Sequence, residues 1–248
     1  MIDRRVFKKL QFLAIANTGT AVPRLETAAA APGEGFTGCY RTLLRDVSAF
    51  GNSPALETVA LRHLDEPDPE VVEDAAIYLR TFGSAAAEEP LWARFSEWGA
   101  QWRGRWPELQ AAARRGNMSR AAEVRAGEQL LRALGEGPGW LPDETDMLRL
   151  VDLSVGDSQR VWAERYLETW RQQPWTIVYR PDPVQFNILQ YQMSSPEAAR
   201  TKLSQFPSGA VFQWTIIGSP AGEDERAFQE LSTHARTLGI RIERAPNP

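Results

Sequence analysis

Three glycines, Gly19, Gly51 and Gly83, stand 32 residues apart, and each closes an apolar stretch of helical character. This register constrains the chain more than any other feature. A period of roughly 20–50 residues is the signature of arrays that stack one supersecondary unit on the next. The stretches before the glycines are Leu13-Ala14-Ile15-Ala16, Val47-Ser48-Ala49-Phe50 and Ile77-Tyr78-Leu79-Arg80-Thr81-Phe82. Short links follow, carrying Pro23, Pro54 and the run Ala85-Ala86-Ala87. Glycine reaches the left-handed conformation that ends a helix, and a proline or small residue starts the next one. The expectation is a left-handed cap at each glycine. A single amphipathic pair cannot cover its own apolar face, so such pairs stack.

The clearest unit spans residues 54–98. Leu56, Val59, Ala60, His63 and Leu64 form one stripe at helical spacing. Asp65-Glu66-Pro67-Asp68-Pro69 breaks the chain, with Asp68 placed to cap the next helix and Pro69 at its first position. Val71, Val72, Ala75, Ala76, Leu79 and Phe82 form the second stripe. The segment HLDEPDPEVVEDAAIYLRTFG, from His63 to Gly83, resembles the HEAT-repeat family: a helix ending in Leu-Asp, a Pro-Asp-Pro turn, a small-residue helix and a closing glycine. The resemblance implies an α-solenoid and a role in protein binding or scaffolding.

The N-terminus admits a competing assignment. Arg4-Arg5-Val6-Phe7-Lys8-Lys9, a modest apolar run and Ala28-Ala29-Ala30-Ala31 resemble a twin-arginine export signal. Asn17, Thr18, Gly19 and Thr20 interrupt that run, and the glycine register accounts for the same residues as half a repeat. A cytoplasmic chain is therefore expected, with export as the alternative. A first helix lacking its pair points to further repeats upstream of Met1. Cys39 is the only cysteine, which excludes an intramolecular disulfide and a cysteine-based zinc site. No run approaches the ~18 apolar residues of a membrane span. The net charge of −4 gives no support to a nucleic-acid partner.

Helices are expected over residues 92–106, with an end or kink at 103–107, and over 118–134. Two more are expected, a short one through Val155 capped by Asp143 or Thr145, and one from Asp157 or Ser158 to Arg171. The last carries Val161, Trp162, Tyr166, Leu167 and Trp170 on one side. Beyond Trp175 the period changes to that of strands, at residues 175–179, 186–192, 211–217 and 240–243. Helices fall between them, one opened by Ser195 and one over 223–238. The expected class is α+β. A HEAT-like helical domain over residues 1–172 precedes a small α/β domain over 173–248 of order β-α-β-α-β, with some parallel pairing.

Candidates for chemistry are few. Trp98, Trp102 and Trp106 lie on one helical face at i, i+4, i+8, with Arg94, Arg103 and Arg105 nearby. That set forms either an aromatic and cationic binding platform or a packed stripe, and helical aromatic stripes are usually core. Trp98, Trp102, Arg94, Arg105 and Trp106 are the candidate binding residues. His63 and His234 are the only histidines and have no metal-binding spacing. Acidic clusters at Asp65, Glu66, Asp68 and Glu70, and at Asp143, Glu144 and Asp146, sit at helix starts, where capping accounts for them. No nucleophile elbow, phosphate loop or dinucleotide-binding glycine run is present. Gly218-Ser219-Pro220-Ala221-Gly222 follows a strand and precedes a helix, the usual ligand position in α/β sheets. The expected function is protein binding or scaffolding without catalysis, cofactor or metal. The alternatives are an enzyme acting on a ligand or nucleobase in a concave groove, and one piece of a larger exported chain.

Overall fold

The computed structural model describes residues 54–217 and 223–245. Gly19, Gly51, the Arg4-Arg5 segment and residues 218–222 lie outside the described residues, so the glycine register is observed at Gly83 only. The chain divides into two compact units. One holds, among the described residues, 54–139 and Leu153–Gln159; the other holds Trp140–Asp152 and residues 160–245.

In the first unit, α1 (Pro54–His63) and α2 (Pro69–Phe82) pair across a short break. The break works as its chemistry dictates. Asp68 Oδ1 accepts the Glu70 amide at 3.0 Å, and Pro69 occupies the first turn, where its missing N–H costs nothing. The α1 stripe, from Leu56 to Leu64, is buried throughout. α2 buries Val71, Val72, Ala75, Ala76, Tyr78 and Leu79, more than one face of a helix provides. Its neighbours are α1 on one side and α5 (Met118–Glu136) on the other. Ala75 and Ala76 permit close approach, and polar ties fix the α2–α5 pair at its edge. Arg125 Nε lies 2.9 Å from Glu73 Oε2, and Arg80 Nη1 donates to Gln129 Oε1 at 3.2 Å.

Gly83 does not take the expected left-handed conformation. Its φ is −59° and its ψ 135°, while its amide still donates to the Leu79 carbonyl at 2.8 Å. The chain leaves α2 in an extended step because Ser84 immediately caps a 3-10 turn, Ala85–Ala87, by accepting the Ala86 amide. α3 (Glu88–Trp102) follows, then α4 (Trp106–Arg114) after a turn in which Gly104 has φ 79°. The expected helix over 92–106 thus ends at Trp102, and both α3 and α4 pack on α5.

The second unit begins with α6 (Glu144–Leu153), entered through a reciprocal cap. The Asp146 amide donates to Asp143 Oδ1 at 2.9 Å, and the Asp143 amide to Asp146 Oδ2 at 3.2 Å. α7 (Asp157–Arg171) begins in the first unit and continues in the second. Five strands then form one mixed sheet: β1 (Trp175–Pro181), β2 (Val184–Ile188), β3 (Tyr191–Met193), β4 (Val211–Ile216) and β5 (Arg241–Arg244). Their order is β3-β2-β1-β4-β5, with β1–β4 and β4–β5 parallel and the other pairs antiparallel. The fold is therefore α+β, but the expected β-α-β-α-β order needs correction. A three-strand meander comes first, because the expected strand over 186–192 folds into two. Leu189, at φ 54°, and Gln190 make a tight turn between Ile188 and Tyr191.

Alternation along the strands gathers one aromatic face. Trp175, Ile177, Tyr179, Phe186, Ile188, Tyr191, Phe212 and Trp214 are buried in a single cluster with Ala199 and Leu203 of α8 (Pro196–Leu203) and Leu231 and Ala235 of α9 (Glu223–Thr237). Ser195 caps α8 as expected, accepting the Ala198 amide at 3.1 Å.

Candidate functional site

Trp98 and Trp102 lie one turn apart on α3, as their spacing requires, Trp106 starts α4 beyond the break, and all three are buried. Trp98 is 1 % exposed and Trp102 2 %. Each indole is held in place. Trp98 Nε1 donates to the Glu123 carbonyl at 3.1 Å, and Trp102 Nε1 to Glu123 Oε2 at 3.3 Å, so one residue of α5 satisfies both N–H groups. Trp98 stacks on Phe95 and meets Trp106 edge-on at 6.1 Å between centroids. Two glycines form the seats. A Cβ at Gly127 of α5 would lie 2.2 Å from Trp98 Cζ2, and one at Gly156 2.3 Å from Trp106 Cζ2.

Of the two candidate arginines, Arg105 borders this stripe, and Arg120 joins it. The Arg105 guanidinium lies 5.2 Å from the Trp102 ring centroid, and that of Arg120 lies 5.1 Å from the same ring. Arg105 also pairs loosely with Glu108 at 3.7 Å, and Arg94 with Glu97 at 3.5 Å. Arg105 and the three tryptophans are thus neighbours, Arg94 is paired on its own helix, and the rings are buried against α5, with the guanidinium groups of Arg105 and Arg120 over Trp102. No ring face is presented on which a sugar or base stacks.

The acidic groups resolve into caps. Asp68 closes the start of α2, and Asp143 and Asp146 close the start of α6. His63 is buried, and burial pushes its pKa below the usual histidine value, with Glu66 pulling weakly the other way. It is a neutral interior group at neutral pH. His234 is half-buried, with Nε2 3.3 Å from Ser204 Oγ. The nearby Glu230 is engaged by Arg200, and Ser204 Oγ also donates to the Arg200 carbonyl, so nothing in this pair activates the hydroxyl. Among the described residues no group of three or more His, Cys, Asp or Glu is placed to hold a metal ion, and no helix is long and apolar enough to cross a membrane. The strand residues opposite the aromatic face include Thr176, Arg180, Gln185, Asn187 and Gln192. They carry no ring on which a base stacks.

What the sequence pattern misplaced is the outer side of α7. Five apolar residues were expected on one side. Tyr166 and Leu167 are buried, together with Ala163 and Gln159. Val161 and Trp162 are not: they are 63 % and 37 % exposed. Arg165 lies over the Trp162 ring at 5.6 Å, and Tyr166 meets its edge at 6.1 Å. The signal was present in the spacing. Once Gln159, Ala163, Tyr166 and Leu167 define the inner face at i, i+4, i+7 and i+8, Val161 falls on the opposite side and Trp162 beside it. Comparison of the chain with protein-family models, with curated proteins and with solved structures finds no match.

Proposed function

We propose that this chain is a non-enzymatic protein-binding module, with a HEAT-like helical stack as its first unit. The observation that carries the binding assignment is the outer face of α7. There, a valine, a tryptophan and an arginine are held outside the core on a helix that buries a separate inner face. Trp and Arg are the side chains that dominate protein–protein binding energy, and apolar groups left exposed in a set rather than singly mark interaction surfaces. The packing of the first unit supports the repeat assignment. α1 and α2 form one hairpin, α4 and α5 form another, and the second helices of the two, α2 and α5, lie side by side, with α3 also packed on α5. That is how stacked hairpins share a core.

The test is affinity capture from the native cell with the full chain, comparing the natural sequence with a Val161→Glu/Trp162→Glu variant. Val161 is largely exposed while Trp162 rests part of its ring on Tyr166, so thermal midpoints are measured alongside and capture is compared at a temperature where both chains are folded. A defined partner set retained by the natural chain and lost by the variant is the expected result. Equal retention by both removes the assignment, as does capture no richer than on a blank matrix.

A further inference from the structure

The turn between α4 and α5 reads Arg114-Arg115-Gly116-Asn117-Met118-Ser119-Arg120: three cations and no acid, in a chain of net charge −4. Its backbone is closed by its own residues. The amides of Arg115, Gly116 and Asn117 donate to the carbonyls of Ala111, Ala113 and Ala112. Gly116 takes φ 85°, which only glycine adopts without cost, and Asn117 Oδ1 accepts the Arg120 amide at 3.1 Å. Folding therefore fixes this turn without using the side chains of Arg114, Arg115 or Met118, all of which are exposed. Met118, at 68 %, is the most exposed large apolar side chain among the described residues. Arg105 adds one further guanidinium group, and it and Arg120 are held in place over Trp102.

We propose that this turn docks an acidic segment of a partner protein, with carboxylates on Arg114, Arg115 and Arg120 and an apolar side chain on Met118. The guanidinium fork matches a carboxylate in two parallel hydrogen bonds, and an unbranched thioether moulds to varied apolar partners. A nucleic acid fits less well, because the nearest ring, Trp102, is buried and offers nothing to stack on. A membrane surface fits less well, because the turn carries one apolar side chain and none of the Trp, Phe or Leu that anchor at an interface. An extended polyanion also meets the acidic remainder of the chain, whereas a short segment feels only the field within about 8 Å at physiological salt.

The proposal rests on the protein-binding assignment but not on the α7 face. The test uses the full chain and fluorescence anisotropy with a labelled peptide of alternating glutamate and leucine. The same peptide with glutamine for glutamate, a single-stranded oligonucleotide, and phosphatidylserine–phosphatidylcholine vesicles serve as the other probes. The glutamate peptide is expected to bind with an affinity that falls as salt rises. Arg114→Glu/Arg115→Glu weakens it by about tenfold or more, the scale of one lost charge-assisted hydrogen bond, and Met118→Ser weakens it to a smaller extent. Met118→Ser leaves the thermal midpoint unchanged, and Arg114→Glu/Arg115→Glu lowers it only by the small cost of acidic groups at the end of α4, since the side chains are exposed. The proposal is overturned if the glutamate peptide does not bind, binds no better than its glutamine counterpart, or binds the charge-reversed chain equally. It is also overturned if the oligonucleotide or the vesicles bind and the peptide does not. Failure here with intact, α7-dependent capture removes the acidic-segment assignment alone. Peptide binding without α7-dependent capture removes the α7 face alone.

Discussion

Gly127→Ala is expected to destabilise the protein by about 2–3 kcal/mol, although the same change in an open helix interior gains about 1 kcal/mol. The reversal comes from the indole opposite. The new Cβ would lie 2.2, 2.4 and 2.5 Å from Cζ2, Cη2 and Cε2 of Trp98. That ring has nowhere to go. Its Nε1 is tied to the Glu123 carbonyl, Phe95 stacks on it, and Trp106 meets it edge-on. Relief requires moving α5 away from α3, which opens the core, or abandoning a buried hydrogen bond. A drop in thermal midpoint of roughly 5–10 °C follows for a chain of this size. Combining Gly127→Ala with Trp98→Phe, which shortens the ring system, should cost less than the sum of the two single changes. Urea denaturation of the four chains measures this. If α3 carried its tryptophans on a surface, Gly127→Ala would be neutral or stabilising, and the two changes would add.

The second large effect falls in the other unit, at Lys202. This residue lies on α8, is buried, and donates from Nζ to the Trp140 carbonyl at 2.5 Å. The ammonium also sits 3.5 Å from the centroid of the Tyr191 ring. A carbonyl oxygen and an aromatic face both present negative potential, so the site is built for a cation. Lys202→Glu places a carboxylate against both and should cost about 3–5 kcal/mol, the range for an uncompensated buried charge. Lys202→Met keeps the stem and leaves the carbonyl without this donor, at a cost of about 1–2 kcal/mol. Thermal unfolding followed by near-ultraviolet circular dichroism reports both, since Trp140 and Tyr191 are themselves chromophores. Equal losses for Met and Glu would contradict a site built for a cation.

These two sites mark where sequence reasoning stops. Local chemistry was legible: Asp68 before Pro69, Ser195 before Pro196 and the acidic pair at Asp143 and Asp146 act through neighbours a few residues away, and they cap the helices expected of them. Helix faces built from unbroken apolar stripes were legible too, as in α1 and α2. The β2–β3 turn was not, because Leu189 and Gln190 carry none of the usual turn chemistry, and only pairing across the sheet reveals the bend. Gly83 looked like a left-handed cap, but the demand of Ser84 on the next turn outweighed it. On α7, residue type misled: Val161 and Trp162 looked like core, while Gln159 took an inward position. Gly127 reads as a weak point of a helix until the indole from another helix is seen against it. The seats for Trp98 and Trp106 and the partners of Lys202 are set by tertiary packing, which a single sequence does not encode locally.

The tryptophans divide into those that build the core and one offered to a partner, and hydroxyl-radical footprinting read by mass spectrometry tests that division most directly. In the native chain, Trp162 and Met118 should oxidise at the lowest dose among the described residues, while Trp98, Trp102 and Trp106 stay protected until the chain is unfolded in urea. Oxidation of Trp98 or Trp102 in the folded chain at the rate of Trp162 would contradict it, and would return the α3 stripe to the surface as a binding platform.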